Sequence, residues 1–99
     1  MVAKMLRVLV CVSGGGTNLQ AVIDGIARKE IRNAQIVRVI SNNRNAYALE
    51  RARAANIDAL CVSPRDYADR ERFHAAFLSA VEEKEPDLIV LSGFLVVLP

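Results

Sequence analysis

Short apolar runs alternate along the chain with segments whose apolar positions recur at helical spacing, which predicts successive βα units on a parallel sheet. Four runs rich in Val, Ile and Leu read as buried parallel strands: Leu6 to Val12, Ile36 to Ser41, Ala59 to Ser63 and Asp87 to Ser92. Between the first two, Leu19, Val22, Ile23 and Ile26 fall at i, i+3, i+4 and i+7, the apolar face of a helix. An alanine-rich stretch from Ala46 to Ala55 predicts a second helix ending near Asn56. A third, from about Asp69 to Glu85, turns Phe73, Phe77 and Val81 to the core, and Pro86 stops it. The fold expected is α/β, a Rossmann-like doubly wound parallel sheet of four strands in the order 3-2-1-4. In that order the winding reverses between the first and fourth strands, and ligands bind at the reversal.

The loop leaving the first strand carries the chemistry. Val8 to Gln20 runs from an apolar strand through Gly14, Gly15 and Gly16 into a helix start, and a Thr17-x-x-Gln20 capping box is expected to open that helix. Glycines permit positive φ and carry no Cβ to keep an anion from the amides at a helix N-terminus. A Walker loop and its nucleoside triphosphate are disfavoured because Gly16 is followed by Thr17 and Asn18, with no lysine to reach a β/γ-phosphate. A dinucleotide site is disfavoured by Leu19 in place of a third glycine and by Ser41-Asn42-Asn43 where an acid would close the second strand. What remains is a monophosphate held by the amides of Gly15 and Gly16, the Thr17 hydroxyl and amide, and the Asn18 side chain. The competing reading is a glycine turn with no ligand. Gly16→Asp is expected to abolish phosphate binding. Across the reversal, Phe94, Leu95, Val97 and Leu98 would offer a surface for a flat apolar group, unless they simply continue a core strand or form an exposed end.

Composition narrows the classes. At 99 residues the chain allows one small domain, 53% hydrophobic and 24% charged, as soluble α/β chains are. A net charge of +2, with basic residues interleaved among acids as in Asp69-Arg70-Glu71-Arg72, gives no nucleic-acid footprint. Cys11 and Cys61 fall in predicted core strands and read as buried free thiols of a reducing cytoplasm, without metal-ligand spacing. Arg7 interrupts the apolar run that would otherwise imitate a signal peptide, and no stretch approaches the ~20 apolar residues that span a bilayer.

Ser13-Gly14-Gly15-Gly16-Thr17-Asn18-Leu19-Gln20, followed by Ala21-Val22-Ile23-Asp24, resembles the opening of the folate-dependent phosphoribosylglycinamide formyltransferases of purine synthesis. Ser41-Asn42, Ala46, Leu49-Glu50-Arg51-Ala52 and Pro86-Asp87-Leu88-Ile89-Val90-Leu91-Ser92-Gly93-Phe94 follow the same family's order. The resemblance implies a truncated formyltransferase fold in which residues 1–99 are the N-terminal, phosphate-binding portion. It implies that the phosphate belongs to glycinamide ribonucleotide, bound by Gly15, Gly16, Thr17 and Asn18. It also implies formyl-tetrahydrofolate as cosubstrate, no metal, and folate contacts from Phe94, Leu95, Val96, Val97 and Leu98. Val96 stands where the family usually has an arginine. Arg70 resembles the family's arginine near the folate tail, although by its charged neighbours it reads as a solvated helix cation.

No catalytic residue is assigned, because the family's Asn-x-His-Pro motif would lie past Pro99. His74 reads as a helix-surface residue, and Asp24 and Asp87 lie at a helix middle and a strand start. The partner expected is either a C-terminal portion or a second copy pairing through the fourth-strand edge, with neither nucleic acid nor membrane involved. Two alternatives stand: a non-catalytic sugar-phosphate-binding or assembly module, and another formyl-folate enzyme such as a formyl-tetrahydrofolate hydrolase or methionyl-tRNA formyltransferase.

Overall fold

The computed structural model describes residues 5–92. Along them run β1 (Leu6–Val12), α1 (Thr17–Ala27), β2 (Ala34–Ser41), α2 (Tyr47–Ala54), β3 (Ala59–Cys61), a 3-10 turn (Pro64–Asp66), α3 (Arg70–Glu82) and β4 (Leu88–Ser92). The strands are all parallel and lie in the expected order β3-β2-β1-β4.

Alternation along the strands splits the core into two layers. Leu9 and Cys11 of β1 and Ile40 of β2 pack with Val62 and with Phe73, Phe77, Ala80 and Val81 of α3 on one face. Val8, Val10 and Val12 of β1 and Val39 of β2 pack with Leu19 of α1 and with Ala48 and Ala52 of α2 on the other. Helices on both faces bury the central strands twice over, which is why β1 and β2 read as nearly continuous apolar runs.

Three details depart from the sequence pattern. β3 ends at Cys61 because Ser63 leaves the ladder to cap the 3-10 turn, its hydroxyl accepting from the Arg65 amide ahead of Pro64. Cys61 is accordingly half-buried, not buried as expected, whereas Cys11 is fully enclosed; both are free thiols. β2 begins at Ala34 and carries a bulge: Val8 pairs with Ile36 and Leu9 with Arg38, so Val37 is an extra residue. Val37 and Arg38 therefore both turn toward α3, where Arg38 donates to the Ala80 carbonyl at 2.7 Å and pairs with Asp58.

Arg7 also acquires a role the sequence did not suggest. Its guanidinium donates to the Lys84 carbonyl at 2.6 Å, taking up an orphan carbonyl past the end of α3. The chain then reverses at Glu85, with φ of 45°, into β4.

Candidate functional site

Gly14 to Asn18 leave the carboxyl end of β1 and enter α1, between α2 on one side and the end of β4 on the other. The helix does not open on the expected Thr17–Gln20 capping box. Gly16 is the N-cap, in the left-handed region at φ 79° and ψ 33°, with no side-chain cap. Gln20 instead donates to Asp24 at 2.9 Å. The cap fails because Thr17 already lies inside the first helical turn, where its hydroxyl no longer precedes the orphan amides.

Three consecutive carbonyls of the loop are engaged by the protein. Gly14 O accepts from the Ala48 amide at 3.3 Å, Gly15 O from Arg51 Nε at 2.7 Å, and Gly16 O from the Gln20 amide at 2.8 Å. No peptide bond among the described residues is cis. In a trans peptide the N–H points opposite to the C=O of the same plane. The N–H groups of Gly15 and Gly16 are thus directed away from α2, and that of Thr17 outward from the start of α1. The Asn18 amide belongs to the same unpaired first turn. Successive amides turned one way, with one residue in the left-handed region, form a concavity suited to an anion, and the helix dipole adds to it.

The glycines are not equivalent. Gly14 and Gly15 are exposed, and a Cβ on either would meet nothing within 4 Å. A Cβ on Gly16 would lie 2.7 Å from Ala48 Cβ, so Gly16 serves positive φ and helix packing, while the open side of the loop belongs to Gly14 and Gly15. Thr17 and Asn18 are exposed, and Asn18 Nδ2 reaches Ser92 Oγ at 3.4 Å, linking the loop to the end of β4 at the winding reversal. Arg70 is the first residue of α3 and exposed, behind the Asp69 cap, whose carboxylate accepts from the Arg72 amide at 2.8 Å. Phe94, Leu95, Val96, Val97 and Leu98 lie outside the described residues.

A second depression, an open cleft of about 590 Å³, lies at the carboxyl ends of β2 and β3 between Asn42–Asn45 and Ser63–Asp66. Arg44 spans it with two 2.8 Å bonds to Asp66, which push the Arg44 pKa above its ordinary value. Among the described residues no group of three or more His, Cys, Asp or Glu could hold a metal ion, and no helix is long and apolar enough to cross a membrane.

The profile of the formyl transferase family matches residues 6–99. The chain belongs to the formyl transferase family. It is similar to phosphoribosylglycinamide formyltransferases and to trifunctional purine biosynthetic proteins. A trifunctional purine biosynthetic protein adenosine-3 of Chironomus tentans is 40% identical over 93 residues, covering 93% of this chain and 7% of that protein. The phosphoribosylglycinamide formyltransferase of Escherichia coli K12 is 33% identical over 93 residues, covering 94% of this chain and 43% of that enzyme. Among solved structures, glycinamide ribonucleotide transformylase 1 of Symbiobacterium toebii superposes with a TM-score of 0.87 at 40% identity, over 96% of this chain and 44% of that one. The phosphoribosylglycinamide formyltransferase of Coxiella burnetii gives 0.88 at 36%, over 97% and 44%. This formyl transferase chain thus spans less than half the length of these relatives.

The residue that sequence reasoning passed over is Arg51. Only its place in Leu49-Glu50-Arg51-Ala52, one of the segments that follow the family's order, marked it in the sequence; the bond to Gly15 comes from the packing of α2 against the loop.

Proposed function

We propose that this chain is the N-terminal portion, residues 1–99, of a phosphoribosylglycinamide formyltransferase. Its part in the reaction is to hold the phosphate of glycinamide ribonucleotide on the amides of Gly15, Gly16 and Thr17 with Asn18 beside them. The observation that carries this reading is the run of three carbonyls tied back to α1 and α2, which leaves consecutive N–H groups facing the loop's open side. The names of the relatives support glycinamide ribonucleotide as the substrate, and an anion site at the winding reversal would suit its phosphate. Formyl-tetrahydrofolate is the cosubstrate, with Arg70 and residues 94–98 as its contacts.

Formyl transfer requires a base for the substrate amine and a donor for the developing oxyanion. None of the three candidates in this chain suits either task. His74 lies on α3 with its ring 5.5 Å from that of Phe73. Asp24 accepts from Gln20 within α1, and Asp87 accepts from the Arg7 amide at the amino end of β4, opposite the loop. Those roles fall to the other half of the domain.

Among the described residues β4 is a sheet edge, and it exposes Leu88, Ile89 and Leu91. We assign this edge to the portion of the domain that the longer relatives possess, or to a second copy in its absence. The free thiols Cys11 and Cys61 suit a cytoplasmic location.

The test is a two-dimensional amide NMR titration of the chain with glycinamide ribonucleotide. Saturable shifts of the Gly14 to Asn18 amides are expected. A dispersed spectrum in which those amides stay still would overturn the phosphate assignment and favour a non-catalytic module.

A further inference from the structure

We infer that, granted the anion site proposed above, Arg51 is a positioning residue: it holds the Gly15 carbonyl against α2 and so aims the Gly16 amide at the ligand. Arg51 sits on α2, separated by 36 residues from the loop it grips. Its Nε donates to Gly15 O at 2.7 Å, the shortest of the three bonds that tie the loop carbonyls back. The other two come from main-chain amides that any residue but proline would supply; this one depends on a side chain.

The guanidinium is itself fixed from two directions. Nη1 donates to Gln20 Oε1 at 3.2 Å, and the ring of Tyr47 lies with its centroid 4.9 Å from the Arg51 Cζ. Gln20 of α1 and Tyr47 of α2 thus determine where a half-buried cation stands, and the planar fork loses little further freedom in making the bond. Its Cδ lies 3.4 Å from the position a Gly16 Cβ would take, so the absence of that Cβ also makes room for Arg51. If the bond is lost, the Gly15–Gly16 peptide can rotate, its carbonyl can enter the anion site, and the local positive charge is gone. Leu49-Glu50-Arg51-Ala52 then has a physical reason: Leu49 and Ala52 bury the helix while Arg51 reaches over its end to the loop.

The test compares the wild-type chain with Arg51→Met and Arg51→Lys, using inorganic phosphate as the probe and amide NMR as the readout. Both substitutions retain an apolar stem, so their thermal midpoints should agree with each other. Only lysine keeps a cationic donor. Loss of one charge-assisted hydrogen bond predicts that Arg51→Met weakens phosphate binding about tenfold and that Arg51→Lys recovers part of the loss. In ligand-free spectra the Gly15 and Gly16 amide resonances should move in Arg51→Met and less in Arg51→Lys. Folded variants with wild-type loop resonances and wild-type affinity would overturn the inference, as would equal losses in the two variants. If the wild-type chain binds no phosphate, the anion reading fails by itself. The ligand-free spectra then decide the positioning role: displaced loop amides in Arg51→Met support it, and unchanged ones reject it.

Discussion

At the scale of single residues, the glycine loop separates two requirements that its sequence blends into one motif. Gly15 has open space around it, so Gly15→Asp should change stability by no more than about 0.5 kcal/mol while its carboxylate occupies the anion's place. Loss of saturable phosphate shifts with an unchanged melting midpoint is the expected result. Gly16 is different, because its φ of 79° and its 2.7 Å approach to Ala48 penalise any side chain. Gly16→Ala should cost about 2–4 kcal/mol, read as a lower urea midpoint, so Gly16→Asp would confound binding with folding. That Gly14 to Asn18 carry the chain from β1 into α1 was legible from strand, glycines and helix start. Which glycine did what was not, since that depends on Ala48 and Arg51, which approach only once α2 docks. Cys11 offers a pH test at the same scale. Burial pushes its pKa up to about 12 from 9.0, so the folded state keeps a proton that the unfolded chain releases. The stability it contributes is full below about pH 9 and is lost as pH rises toward about 12. Urea midpoints should fall over that window more steeply in wild type than in Cys11→Val.

At the scale of elements, the helices and strands follow their apolar periodicity closely, and the exceptions are places where a polar residue found a distant partner. Arg38 interrupts a strand pattern, yet its side chain is 10% exposed, bonded to Asp58 and to the Ala80 carbonyl of α3. No local signal announces a partner 42 positions away. Arg38→Ala should cost about 2–4 kcal/mol, since it removes a packed stem, leaves the buried Ala80 carbonyl without its donor and leaves Asp58 with only Lys84 beside it. The exposed pair of Arg53 and Glu50 supplies the contrast: Arg53→Ala should change the denaturation midpoint by less than about 0.5 kcal/mol equivalent. Equal effects at the two arginines would contradict this account. The shortening of β3 has a similar cause. Cys61-Val62-Ser63 reads as strand by composition, but Ser63-Pro64 provides a cap and a pre-set φ, and local turn chemistry ends the ladder.

For the whole molecule, strand order was readable because parallel βα units leave few arrangements, and both faces of β1 and β2 are covered as that order requires. The β4 edge gives the prediction at this scale. Leu88, Ile89 and Leu91 are about half exposed, at 47%, 46% and 55%, so the isolated chain should self-associate at high micromolar concentration. Sedimentation velocity should show dimers or larger species, and Leu91→Lys should shift them toward monomer; a monodisperse wild-type monomer would count against the edge as an interface. The bulge in β2 bears on how such a chain can vary in length. One residue added to or removed from a regular strand inverts the faces of everything beyond it. At Val37 the opposite holds, because deleting it would pair Val8 with Ile36 and Leu9 with Arg38 in unbroken succession and leave Arg38, Val39 and Ile40 facing as they do now. β2 therefore contains a position where lineages can differ by one residue while every neighbour keeps its place, so alignments of this region should tolerate a gap in the middle of the sheet.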